Sequence, residues 1–254
     1  MAPRLAALLW DVDGTLAETE LDGHRRAFNH AFAAAGLPWR WDADTYCRLL
    51  AVSGGRERLG VYLQEVEGQA PAAGLLEHLV ALKQTHYSEL VSRGELALRP
   101  GVASLIAEAA AAGLPQGIVT TSSRRAVTAL ARGVLGELAG AFSFWICGED
   151  VPAKKPDPSA YRLGLERLGL QGAAQVLAIE DSGNGLAAAG AAGLPCLVSL
   201  SRASAREPRS AFARATAVVE SLAVDDGAVR VLQGPPCAAG QVTLSWLEWL
   251  LAIA

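Results

Sequence analysis

Four short stretches of this chain set oxygen donors and a cation where they could do chemistry together. They are Asp11-Val12-Asp13-Gly14-Thr15, Thr120-Thr121-Ser122, Lys154-Lys155-Pro156 and Glu180-Asp181. A lone acidic residue after a strand is ordinarily a loop contact or a helix cap. Four chemically complementary loops point instead to one site. Asp11, Asp13 and Asp181 would make an oxygen-rich site for a hard cation, which suits Mg²⁺. A carboxylate can also act as a nucleophile and form an aspartyl-phosphate. The metal and Lys155 would offset the negative charge that otherwise keeps one anion from approaching another. Hydroxyls of Thr120 or Thr121, with backbone amides, would hold the transferring oxygens. The chemistry such a set can do is phosphoryl transfer. Phosphate-monoester hydrolysis needs rate factors of up to ~10²¹, supplied mostly by positioning and electrostatics.

The elements that must deliver these groups are legible as alternating strands and helices. Leu5–Trp10 is a short continuous apolar run, as expected of a strand buried on both faces. Similar runs are Gly117–Thr120, Phe142–Ile146, Val176–Ile179 and Cys196–Ser199. Between them lie alanine-rich helical segments at Val102–Ala112, Arg124–Leu135, Ser159–Leu168 and Gly185–Ala192. Gly113, Gly169 and Gly193 stand where glycines end helices. The alternation predicts an α/β fold with a parallel sheet covered on both faces. Ligands in such sheets bind beyond the carboxyl ends of the strands, where the polar loops fall.

The alternation is broken once, from about Glu18 to Arg93. There the signals are helical, around Phe28 and Phe32, Asp44–Leu50, Arg56–Glu67 and Leu75–Ser92. The expected organisation is a core of residues 1–17 and 94–232, a helical domain of 18–93 inserted after the first strand, and a carboxy-terminal extension of 233–254 packed on the core.

Composition narrows the class. The 254 residues are 51% hydrophobic and 19% charged, which excludes a disordered chain. The net charge is −4 and no Lys/Arg-dense run is present, so a nucleic-acid partner is not expected. The 4 cysteines, Cys47, Cys147, Cys196 and Cys237, form no C-x-x-C pair and read as reduced, small buried residues. No run approaches the ~20 apolar residues of a membrane span, and no signal peptide is visible. A cytoplasmic protein without a membrane partner is the expectation, monomeric or, alternatively, dimeric.

The four stretches resemble, in order, the four motifs of the haloacid dehalogenase superfamily, over roughly residues 5 to 200. The resemblance implies a Rossmann-like core with a helical cap after the first motif. It implies that Asp11 is the nucleophile and a Mg²⁺ ligand. Asp13 would be the general acid/base, with its backbone carbonyl on the metal. Thr120 would bind the transferring phosphate, and Lys155 would steady nucleophile and phosphate. Asp181 would hold the metal, with Glu180 assisting. In this superfamily the second aspartate marks phosphatases and phosphomutases. Its task is to protonate the leaving oxygen and then deprotonate the attacking water.

Longer segments resemble the β-phosphoglucomutase-like branch, and within it the CbbY-type sugar-bisphosphate phosphatases of carbon fixation. They are Ala17-Glu18-Thr19-Glu20, His24–Asn29, Gly54–Arg58, Glu95–Gly101 and Glu180–Gly185. The implied activity is hydrolysis of xylulose-1,5-bisphosphate, a Rubisco inhibitor, with a phosphomutase or a general sugar-phosphate phosphatase as alternatives. A bisphosphate needs a second phosphate site. Gly54, Gly55 and Arg56 offer amides and a guanidinium fork for it, Lys83 a cap lysine, and Ser122 a hydroxyl. Glu20 would accept from sugar hydroxyls, and His24 would face the nucleophile. Two departures stand out. Leu21-Asp22-Gly23 makes the Asp11-to-His24 link one residue longer than this branch leads us to expect, and the stretch after about residue 230 has no recognised counterpart.

Overall fold

The first apolar run becomes β1 (Ala7–Trp10), whose side chains are all shut away from solvent. Ala7 and Leu9 pack on one face of the sheet with Tyr161 and Leu186. Leu8 and Trp10 pack on the other with Leu105, Val127 and Leu250. The alternation of a pleated strand thus feeds two cores, one on each side. Trp10 keeps its indole N–H satisfied inside, donating to Gln116 Oε1 at 3.0 Å.

In the computed structural model of the protein, residues 5–68, 74–170 and 172–253 are described. Among them the strands form one seven-stranded sheet. They are β1, β2 (Gln116–Val119), β3 (Phe144–Ile146), β4 (Val176–Glu180), β5 (Cys196–Ser199), β6 (Ala217–Val219) and β7 (Val231–Gln233). Their order is β3-β2-β1-β4-β5-β6-β7, parallel throughout except for β7. Leu9 is in register with Gly117 on one side and Ala178 on the other, so β1 is central. Its carboxyl end therefore lies between those of β2 and β4.

A helical insertion follows β1. It runs through α1 (Arg25–Ala34), α2 (Ala43–Leu49), α3 (Gly55–Glu67) and α4 (Leu75–Ser92). Asp42 caps α2 by accepting the Thr45 amide at 2.7 Å. An aromatic interior holds the insertion together, with Phe28 and Trp41 centroids 4.6 Å apart and Phe32, Tyr46 and Leu59 around them. The chain returns beside its point of departure. Ala17 bridges Leu98, and the Arg99 amide donates to Leu16 O at 2.9 Å. The core then continues with α5 (Val102–Ala111), α6 (Arg124–Leu130), α7 (Ser159–Leu168), α8 (Gly183–Ala191) and α9 (Leu244–Ile253).

Two features differ from the sequence reading. The helix expected over Arg124–Leu135 stops at Leu130 and continues as a π-helical turn, Ala131–Leu135. Gly133 sits so close to α4 that a β-carbon there would fall 2.5 Å from Val91 Cγ1. The sheet also runs beyond β5 to β6 and β7, each three residues long and too short to register as an apolar run. The carboxy-terminal α9 packs on the core, burying Trp246, Leu247, Leu250 and Leu251 on the α5 side of the sheet. Among the described residues no helix is long and apolar enough to cross a membrane.

Candidate active site

The carboxyl ends of β1, β2 and β4 bring Asp11, Thr120, Glu180 and Asp181 to one edge. The Asp11 amide extends the ladder to Ile179 O at 3.0 Å, and the Thr120 amide does so to Ile146 O at 2.9 Å. Lys155 enters from the loop before α7. Its ammonium donates to Asp11 Oδ1 at 2.7 Å, Glu180 Oε1 at 2.6 Å and Val119 O at 2.8 Å. All three of its protons are used. Tyr161 OH also donates to Glu180 Oε1, and its ring lies 4.9 Å from the ammonium.

Burial and charge set the protonation pattern. Burial pushes the Asp11 carboxyl up to about 7, the charges of Glu180 and Asp13 adding to the effect and Lys155 opposing it. Burial alone would lower the Lys155 ammonium, but Asp11 and Glu180 outweigh it and hold it above its ordinary range. Asp181 is raised well above the carboxylate range, by burial first and then by Asp11. These are the marks of an acid cluster short of positive charge.

The cluster fits a divalent cation. Carboxylate oxygens of Asp11, Glu180 and Asp181 lie within 4.8 Å of one another. Glu180 Oε2 is buried without a hydrogen-bond partner among the described residues, as suits a cation ligand. All donors are hard oxygens, as Mg²⁺ requires. Gly14, at φ +85°, allows the backbone to approach; a β-carbon there would lie 2.2 Å from Asp181 Oδ2.

Asp13 turns away from this cluster. Its Oδ1 accepts from Thr19 Oγ1 and His24 Nε2, the latter at 2.8 Å, and its Oδ2 accepts from Ser122 Oγ. Burial would raise this carboxyl, but His24, Ser122 and Thr19 together hold it well below its usual range. Lys83 Nζ lies 3.0 Å from His24 Nδ1. An ammonium only donates, so Nδ1 accepts and Nε2 carries the proton given to Asp13. Burial lowers Lys83 to about 8, against the opposing pull of Asp13 and Glu20.

The longer Asp11-to-His24 link is absorbed without losing this contact. Glu20–His24 forms a π-helical turn closed by the Arg25 amide on Glu20 O. Such a turn accommodates one extra residue, and the ring of His24 stacks on Tyr87 at 4.3 Å.

The remaining expected residues divide. Thr121 borders two adjoining cavities of about 560 and 630 Å³, as do Asp13, Glu20, Ser53 and Arg58. The Thr120 hydroxyl accepts the Ser122 amide at 3.1 Å. Gly54 (φ +90°) and Gly55 line the larger cavity with Lys83 and Lys154. Glu20 accepts from the Tyr46 hydroxyl. Ser122 lines the larger cavity as well, and its hydroxyl donates to Asp13 Oδ2. Arg56 borders the cavity, but its guanidinium pairs with Glu77 at 2.6 Å and its side chain is 54% exposed.

The arginine that α3 buries is Arg58, which sequence reasoning missed. It donates to Tyr46 OH at 2.8 Å and to the carbonyls of Leu49 and Val52 at 3.3 Å, and lies 3.7 Å from Glu20. Its signal was available: residue 58 falls on the α3 stripe shared by Gly55, Leu59 and Tyr62, the face that packs inward. Lys154 belongs to the third stretch but had no role assigned to it. It pairs with Glu57 at 2.7 Å, joining the loop before α7 to α3.

Comparison with known proteins places the chain in a family. The haloacid dehalogenase-like hydrolase family model matches residues 5–193. The plasmid-encoded protein CbbY of Cupriavidus necator H16 is 48% identical over 209 residues, 80% of this chain and 81% of its own length. Phosphoglycolate phosphatase of Yersinia pseudotuberculosis is 34% identical over 195 residues, 76% of this chain and 80% of its own. The crystal structure of a mutant CbbY from Rhodobacter sphaeroides, in complex with xylulose-1,5-bisphosphate, matches with a TM-score of 0.78 at 42% identity, over 85% of this chain and 94% of that one.

Proposed function

The chain belongs to the haloacid dehalogenase-like hydrolase family and is a phosphatase, a phosphoric monoester hydrolase, and from that premise we propose that it is a Mg²⁺-dependent sugar-bisphosphate phosphatase acting on xylulose-1,5-bisphosphate. The observation that carries the substrate is the larger cavity beside Asp13. Lys83 and Lys154 stand in its wall with Glu20 and Arg58. Lysine cations in the wall suit a second phosphate, and a carboxylate beside them suits sugar hydroxyls. The CbbY complex supports the same ligand class. Acting in the cytoplasm, such an enzyme would clear an inhibitor of Rubisco.

Asp11, Glu180 and Asp181 would hold the metal, together with the Asp13 carbonyl. Bound there, Mg²⁺ supplies positive charge that neutralises the nucleophile and the phosphoryl oxygens. Lys155 orients Asp11 from the opposite side through Oδ1. Asp11 attacks phosphorus, the P–O bond to the sugar breaks, and the leaving oxygen takes a proton from Asp13. Asp13 then removes a proton from water, whose oxygen attacks phosphorus and releases Asp11 and inorganic phosphate. The ionised form of Asp13 suits the second step. For the first step it must gain a proton, and the chain Lys83–His24–Asp13 offers a path. Closure of the cap over residues 18–93 would exclude bulk water.

The test is product analysis with a panel of sugar phosphates and phosphoglycolate. Mg²⁺-dependent phosphate release, with the highest kcat/KM for xylulose-1,5-bisphosphate, is the expected result. Conversion of β-glucose-1-phosphate to the 6-phosphate without phosphate release identifies a phosphomutase instead.

A further inference from the structure

Arg99 is a buried arginine with no part in the chemistry above. Its residue exposure is 7%, yet it stands in the linker that returns the chain from the cap. Its Nη1 donates to Gly14 O and, at 2.9 Å, to Ser199 O, and its Nη2 donates to Leu200 O. Its Nε lies 3.3 Å from Glu18 Oε1, on the outgoing linker. The backbone amide of Arg99 holds Leu16 O at 2.9 Å. One guanidinium therefore ties together the loop that carries Asp11 and Asp13, the end of β5, and both cap linkers.

The neighbour of Glu18 gives this a consequence. Thr19 donates its hydroxyl to Asp13 Oδ1, and its amide donates to Ala17 O at 2.8 Å. Glu18, whose Oε1 also accepts the Arg202 amide at 3.2 Å, thus stands between a fixed cation and the residue that aims the acid/base carboxylate. A cavity of about 580 Å³ lies beside Glu18 and Arg99.

We propose that the Arg99–Glu18 pair is the hinge pin of the cap, a positioning device that couples the orientation of Asp13 to the setting of the two linkers. Arg99 acts through Gly14 and Glu18 and touches no reacting atom. A lysine cannot replace it, because an ammonium offers its donors from one point whereas the guanidinium fork reaches separate acceptors.

The inference rests on the phosphatase reading, so the experiment separates the two. Leaving-group release is measured in single turnovers at saturating substrate with Mg²⁺, for wild type, Glu18→Gln and Arg99→Lys. The substrates are xylulose-1,5-bisphosphate, whose leaving alkoxide needs a proton, and p-nitrophenyl phosphate, whose leaving phenolate does not. Both variants should slow the sugar ester about tenfold or more and the aryl ester less than about threefold. Equal losses on both esters mean a merely structural role and overturn the proposal, as does an unchanged rate in Glu18→Gln. Glu18 is part-exposed, so this variant decides the matter if Arg99→Lys does not fold. Should the wild type cleave neither ester, the phosphatase reading fails by itself. Hydrogen exchange at the Thr19 and Arg99 amides then still tests the pin. Exchange at least about tenfold faster in Glu18→Gln supports it, and unchanged exchange overturns it.

Discussion

His24 Nε2 lies 2.8 Å from Asp13 Oδ1 although the two residues belong to different parts of the fold. Asp13 follows the central strand, whereas His24 ends the turn that leads into α1. The bond ties the candidate acid/base to the cap, and Lys83 on α4 extends the tie at 3.0 Å. Opening the cap must break it or carry Asp13 along. Proton transfer and substrate enclosure are then linked by geometry.

Lys83 gives that link a pH dependence. Its ammonium loses its proton as pH rises through about 8, and with it the charge behind His24. kcat/KM should fall on the alkaline side with an apparent pKa near that value. Lys83→Met should lower kcat/KM by about 10²–10³ and remove this limb. A pH profile of both proteins checks it.

The acid cluster makes a second prediction, for the metal-free protein. Asp11 is raised from 3.8 to about 7. Between those values the folded state holds a proton that the unfolded state has lost. Stability is therefore greatest below the unfolded value and declines as pH rises towards about 7. Asp181 is shifted in the same direction. Thermal unfolding should show Tm falling between about pH 5 and pH 7.5, and Mg²⁺ should raise Tm more at the upper end. A metal-free Tm that rises over this range contradicts the assignment.

The two arginines of α3 should separate cleanly. Arg58→Ala leaves the Tyr46 hydroxyl and Glu20 without their buried partner, and should cost about 2–4 kcal/mol of stability together with most of the bisphosphate activity. Arg56→Ala loses a surface pair with Glu77, worth about 0–1 kcal/mol, and should leave kcat/KM within about twofold. Denaturant unfolding and steady-state kinetics on the two variants decide between them.

How far the sequence could be read depends on how each residue is used. β1 and Asp11 were legible because a strand buried on both faces leaves a continuous apolar run. Helices with glycine stops, such as Ser159–Leu168 before Gly169, were legible for the same local reason. β6 and β7 were not, because a three-residue strand carries almost no pattern. Arg56 stood out beside two glycines, whereas Arg58 was hidden in an apolar stripe. Its role exists only once Tyr46, Glu20 and the Leu49 carbonyl are brought around it. The direction of the Ser122 hydroxyl is likewise a matter of tertiary placement, since Asp13 lies 109 positions away.

The central claim is that Asp11 is covalently phosphorylated. Wild-type protein and Asp11→Asn are mixed with xylulose-1,5-bisphosphate and Mg²⁺, quenched in acid within one turnover, and digested for mass spectrometry. The account predicts one added phosphoryl group on the wild-type peptide bearing Asp11 and none on the variant, which keeps its fold. Phosphate release by the wild type with no phosphorylated Asp11 peptide at any quench time, or wild-type turnover by Asp11→Asn, contradicts it.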